Sequence, residues 1–213
     1  MNIIHFDLGS HMAFAHNGNS DIGLIECGHA DFIGTRAARA AQILQWLVAL
    51  KDNLAANGIK FNVCHYERPF SRGFDATRCG WGIAGLIEAV FGSDCVVLDT
   101  TPQSIKSFAL GSKKIVRTKM TSRERHDAAA AEKLAMIARA QELGYSGENE
   151  HEADAFLGLK YAETYCRKET QCLTPKTSQA STKSTGRSMP SRAAQGNNAQ
   201  LSKTPTRKRS RSA

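Results

Sequence analysis

Apolar residues open the chain in a short run, Ile3-Ile4-His5-Phe6, that ends on Asp7-Leu8-Gly9-Ser10. A run of this length bounded by glycine predicts a strand over residues 3–8, and residues 12–16 and 22–27 predict two more around the punctuation Asn17-Gly18-Asn19. Strands this close in sequence predict an antiparallel meander at the start of a sheet. The period then changes. Between residues 35 and 56, Ile43, Leu44, Trp46, Leu47, Leu50 and Leu54 recur at helical spacing, and Gly58 follows where a helix stops. Residues 61–67 predict a strand feeding a Pro-containing turn, 77–91 an amphipathic helix, and 95–98 a short buried strand. Thr101-Pro102 opens a helix through residue 108, Thr121 or Ser122 caps another to about 143, and residues 149–166 predict the last. Interleaved strands and helices of this kind define an α/β domain rather than a bundle. Glycines at 80, 82 and 85 weaken their own helix and leave room for a second helix or subunit to approach.

Composition divides the chain in two. Of 28 Lys and Arg, nine lie between Lys176 and Arg211, and no Asp or Glu occurs from residue 170 onward, which leaves the body with 19 basic and 20 acidic side chains. The net charge of +8 is therefore a property of the tail. Beyond Lys168 the aromatics vanish and Ser, Thr, Gln, Asn and Lys dominate, so too little apolar area is present to offset ordering entropy. The expected organisation is a domain over residues 1–168 and a disordered basic tail over 169–213. The cluster Arg207-Lys208-Arg209-Ser210-Arg211 suits non-specific nucleic-acid binding in preference to a nuclear-import signal. Six cysteines without a Cys-x-x-Cys pair argue for buried thiols rather than disulfides or a zinc knuckle. No apolar run is long enough to span a membrane, and the N-terminus lacks the order of a secretory signal, so a cytoplasmic protein is expected.

One dense basic stretch lies inside the domain. Lys106, Lys113, Lys114, Arg117, Lys119, Arg123 and Arg125 stand against a single acid, Glu124, and positives not interleaved with acids favour contact with phosphates. The acids are scattered by contrast. Asp7 and Glu67 each end a predicted strand, and His151 and Asp154 share one face of the last helix at i, i+3 spacing. Carboxylates brought together on rigid elements suit divalent cations, and a pair of Mg²⁺ ions can drive phosphodiester hydrolysis. Taken singly, each acid has an ordinary role in a turn, an ion pair or a helix first turn.

Read together, these motifs resemble a family. Ile4-His5-Phe6-Asp7-Leu8-Gly9-Ser10, Tyr66-Glu67-Arg68-Pro69-Phe70 before a Gly-rich helix, Thr101-Pro102-Gln103-Ser104-Ile105-Lys106 before a basic loop, and Glu152-Ala153-Asp154-Ala155 on the last helix are similar to RuvC-like Holliday-junction resolvases, particularly compact phage forms. The resemblance covers residues 1–166 and implies an RNase H-like mixed five-stranded sheet flanked by helices. It further implies two Mg²⁺ ions, with Mn²⁺ as a substitute, held by Asp7, Glu67, His151 and Asp154. His151 falls where many members carry Asp. By the same likeness the enzyme is a homodimer acting on branched DNA, in a bacterial cell or phage-infected host. Arg68, Arg72, Lys113, Lys114, Arg117 and Lys119 become phosphate contacts, with Arg78 as a further candidate, and Phe70 and Phe74 either stack on an unpaired base at the junction centre or pack beneath the turn. Two other classes remain open on sequence alone. One is a non-catalytic DNA-binding or packaging protein on the same fold; the other is a sugar-kinase or actin-like ATPase, suggested by Asp7-Leu8-Gly9-Ser10 but lacking a second phosphate loop.

Overall fold

The computed structural model describes residues 1–18, 24–69, 73–111 and 121–173. Ten elements follow in order: β1 (Ile3–Asp7), β2 (His11–His16), β3 (Glu26–Asp31), α1 (Arg36–Ala56), β4 (Val63–Glu67), α2 (Phe74–Phe91), β5 (Val96–Thr100), α3 (Pro102–Leu110), α4 (Ser122–Glu142) and α5 (Glu150–Leu173). The strands form one five-stranded sheet in the order β3-β2-β1-β4-β5. β1, β2 and β3 pair antiparallel, as the meander requires, whereas β4 and β5 lie parallel to β1 after helical crossovers. This is the mixed, helix-flanked RNase H-like sheet.

Side-chain alternation along β1 splits the core between the two faces of the sheet. Ile4 and Phe6 pack with Ile43 and Leu47 of α1 and with Ile83 and Ile87 of α2. Ile3 faces the other way, into a layer built from α3, α4 and α5 that includes Ile105, Met136, Ala140, Phe156 and Leu159. Both faces of β1 and β4 are thus covered, which explains why four of the five residues in each strand are buried rather than alternately exposed.

Local chemistry sets the helix starts. The Thr35 side chain accepts the Ala38 N–H before α1, and Thr101 accepts that of Ser104 with Pro102 in the first turn of α3. Before α4, Thr121 and Glu124 form a reciprocal capping box. The third strand departs from the expectation of residues 22–27: it spans Glu26–Asp31, with Leu24 and Ile25 outside it. Its sequence, Glu-Cys-Gly-His-Ala-Asp, has no apolar alternation, and its place at the sheet edge comes from pairing with β2 from His16–Glu26 to His11–Asp31. α5 continues to Leu173 rather than ending at 166. Of the three glycines in α2, Gly80 lies against Pro69, while Gly82 and Gly85 border open space. The tail from residue 174 lies outside the described residues.

Candidate active site

Asp7 is the last residue of β1 and Glu67 the last of β4. Phe6 aligns with Tyr66 in the parallel register, so the two acids, one step further on, stand side by side on the face away from Phe6 and toward α5. α5 lies across β1 and β2 on that face and is fixed there by Ala153, Ala155, Phe156, Leu157 and Leu159, all buried. His151, just before these anchors, and Asp154, among them, are turned toward the strand ends. A cleft of about 700 Å³ results, with Asp7, Glu67, His151 and Asp154 all in its wall. The four residues drawn from distant parts of the sequence therefore share one cleft.

His151 Nδ1 lies 3.4 Å from Asp7 Oδ2, and that hydrogen bond raises the proton affinity of the imidazole, helped by Glu150 and Asp154. The Asp154 carboxyl is pushed up to about 7, first by burial and then by the charge of Asp7, with Lys106 and His151 opposing. Lys106, on α3, lines the same cleft and pairs with Glu132 at 2.6 Å. Lys133 of α4 forks onto both oxygens of Glu150 at 2.8 Å and holds that carboxyl below its ordinary range. Asp154, whose charge burial and Asp7 disfavour, is a carboxyl whose ionised form a divalent cation would stabilise, and carboxylate oxygens are the donors such cations take. Among the described residues, no three His, Cys, Asp or Glu side chains already converge closely enough to hold a metal.

Below the acids the strands carry a second matched pair. His5 and His65, each two residues before an acid, are buried with Nδ1 atoms 2.7 Å apart and rings 4.9 Å apart. Burial drives both imidazoles toward the neutral form, His65 to about 4. One ring must donate and the other accept, which ties the two strands together beneath the cleft. Gly158 of α5 packs directly on His5 and leaves room for its ring.

The histidines at the rim carry no local signal in the sequence. His11 begins β2, shares a hydrogen bond through Nδ1 with Asp31 at 2.6 Å, and stacks on His151 with ring centroids 5.4 Å apart and planes 16° apart. His29 lies 2.7 Å from Glu152 of α5. Only the strand register could have found them: His11 is four residues past Asp7 on the returning strand and opposite Asp31. Among the expected phosphate contacts, Arg68 donates two hydrogen bonds to Asp99, at 2.6 and 2.9 Å, and also lines the cleft. Arg78 lines a neighbouring groove. Arg72, Lys113, Lys114, Arg117, Lys119 and Phe70 lie outside the described residues.

Fold comparison places this architecture with the RNase H-like folds and, within them, with the fold of RuvC. RuvC of Thermus thermophilus in complex with a Holliday junction substrate superposes with a TM-score of 0.55 at 12% identity, over 80% of this chain and 97% of that one. A second structure of Thermus thermophilus RuvC gives 0.52 at 14% identity, over 80% and 98%. At such identities the likeness is one of fold. No protein-family model and no curated protein matches the sequence. No helix among the described residues is long and apolar enough to cross a membrane.

Proposed function

We propose that this chain is a metal-dependent, structure-specific endonuclease that hydrolyses phosphodiesters in branched DNA such as four-way junctions. The observation that carries the reading is that Asp7, Glu67, His151 and Asp154 line one cleft at the carboxyl ends of two parallel strands. Support also comes from the likeness in fold to a protein solved with a Holliday junction. The compact phage-type form, the homodimer and a bacterial or phage-infected cytoplasm belong to the same reading and rest on the motif resemblance.

Asp7, Glu67, His151 and Asp154 would hold Mg²⁺, with Mn²⁺ as a substitute. Bound there, the cations supply a Lewis acid for the phosphoryl oxygens and lower the pKa of water to make a nucleophile. The protein supplies the rest. The buried imidazole pair and the α5 core fix the carboxylates, because side chains on strands and a packed helix lose little orientation. His151 is held by Asp7 with its ring against His11, which turns its Nε2 toward Glu150 Oε1, 3.7 Å away. Lys106 brings a positive charge to the wall where phosphate charge would gather.

Matched four-way, three-way, flap and linear duplexes incubated with the protein in Mg²⁺ or Mn²⁺ test the reading directly. Branched substrates should be cut in preference, and Asp7→Asn should abolish cutting while branched-DNA binding persists. Mg²⁺-dependent cleavage by pure Asp7→Asn protein would remove Asp7 from the ligand set. Equal, salt-dependent binding of all four DNAs with no cleavage under any divalent ion would leave a non-catalytic DNA-binding protein instead.

A further inference from the structure

A second groove, of about 270 Å³, opens between α1 and α2. It starts at Gly9 and Ser10, just past Asp7, and shares Arg36, Arg39, Cys79 and Ile83 with the acid-lined cleft, so the two are continuous. Its floor is apolar, with Ile43, Ile83 and Leu86. Its walls carry three guanidinium groups, Arg36 and Arg39 from α1 and Arg78 from α2, and no carboxylate among the described residues lines it. Arg36 is paired at its rim with Asp75 at 2.8 Å. Arg39 and Arg78 have no ion pair among the described residues, and Arg39 Nε is buried without an acceptor.

A buried guanidinium Nε without an acceptor is costly, and the planar guanidinium fork matches the oxygens of a phosphodiester. The cleft beside it has the opposite problem, since its carboxylates repel the backbone that must enter. We propose that the α1–α2 groove binds the phosphates of the strand being cut, on one side of the scissile bond, with Arg39 and Arg78 as the principal contacts. This rests on the branched-DNA reading above. The groove positions the strand without reading its sequence, because guanidinium–phosphate contacts carry no base information. The apolar floor lies beneath the sugars, and the turn at Gly9-Ser10 is where the strand passes from arginines to acids.

The test measures binding of a four-way junction in EDTA across a salt series. Arg39→Gln/Arg78→Gln should bind more weakly than wild type, and the slope of log K against log salt should fall by about 0.7–0.9 for each phosphate that the variant leaves unneutralised. Arg39→Lys/Arg78→Lys should recover most of that slope, since charge is kept and only the fork is removed. Cys79 gives a readout in the unmodified protein: bound junction should slow its alkylation, measured by mass spectrometry. A wild-type protein that binds and cuts the junction, with an unchanged slope in the Gln variant and Cys79 alkylated equally with and without DNA, overturns the groove assignment alone. A wild-type protein with no affinity for the junction overturns the branched-DNA reading and the groove together.

Discussion

Asp154→Asn should make the metal-free protein more stable while destroying its proposed activity. The carboxyl of Asp154 titrates near 7 in the folded chain, against 3.8 as its ordinary value, because burial and Asp7 both disfavour its charge. A shift of about three units corresponds to about 4 kcal/mol. The cleft opens to water on one side, so roughly half of that is expected to appear in measured stability. The native state holds a proton that the unfolded chain releases between these two values, so stability falls as pH rises through the window and levels off above the folded value. Asparagine carries no charge at any pH. Its advantage should therefore be absent near pH 4 and grow to about 2 kcal/mol by pH 8. The raised proton affinity of His151 adds a slope of the same sign, which the variant keeps in part. Chemical denaturation in EDTA at a series of pH values measures the difference directly. A stability difference that stays constant from pH 5 to 8, or a variant less stable than wild type at pH 8, would refute the account of a desolvated, repelled carboxyl.

The same groups predict that Mg²⁺ displaces protons: calorimetric titration near pH 6.5 in two buffers of different ionisation heat should show net proton release, and apparent affinity should rise with pH as Asp154 and His151 deprotonate. Buffer-independent heats would contradict this. In the core, Gly158→Ala places a methyl group onto the His5 ring and should cost about 2 kcal/mol in thermal or denaturant unfolding, whereas Gly82→Ala, which meets nothing, should gain about 0.5–1 kcal/mol from helix propensity. Equal melting temperatures for the two variants would count against the packing described.

The parts of this architecture that announce themselves in the sequence are those buried on both sides. β1 and β4 read as strands because each face needs an apolar residue, and α1 reads as a helix because Ile43, Leu47 and Leu54 return to the same buried side. β3 does not, because an edge strand built from Glu26, Cys27, Gly28, His29, Ala30 and Asp31 owes its conformation to a partner strand. The site divides in the same way. His151 and Asp154 share a helical face that spacing reveals, and Asp7 and Glu67 sit at strand ends that the apolar runs delimit. His11, His29, Arg36 and Arg39 are polar residues on half-exposed elements, and nothing local separates them from ordinary surface. Their positions relative to the acids follow from strand register and from how α1 meets α2, which are long-range properties.

α5 does two jobs on one rod, carrying Ala153, Phe156, Leu157 and Leu159 into the core and His151 and Asp154 into the cleft along the same few turns. A substitution that loosens its packing therefore moves the chemistry as well, and one that re-aims the chemistry disturbs the packing. The arginines of α1 and α2 are under no such double obligation. Divergence among descendants of this chain should consequently run through the groove proposed to hold the strand's phosphates, while the acids and the helix beneath them stay as they are.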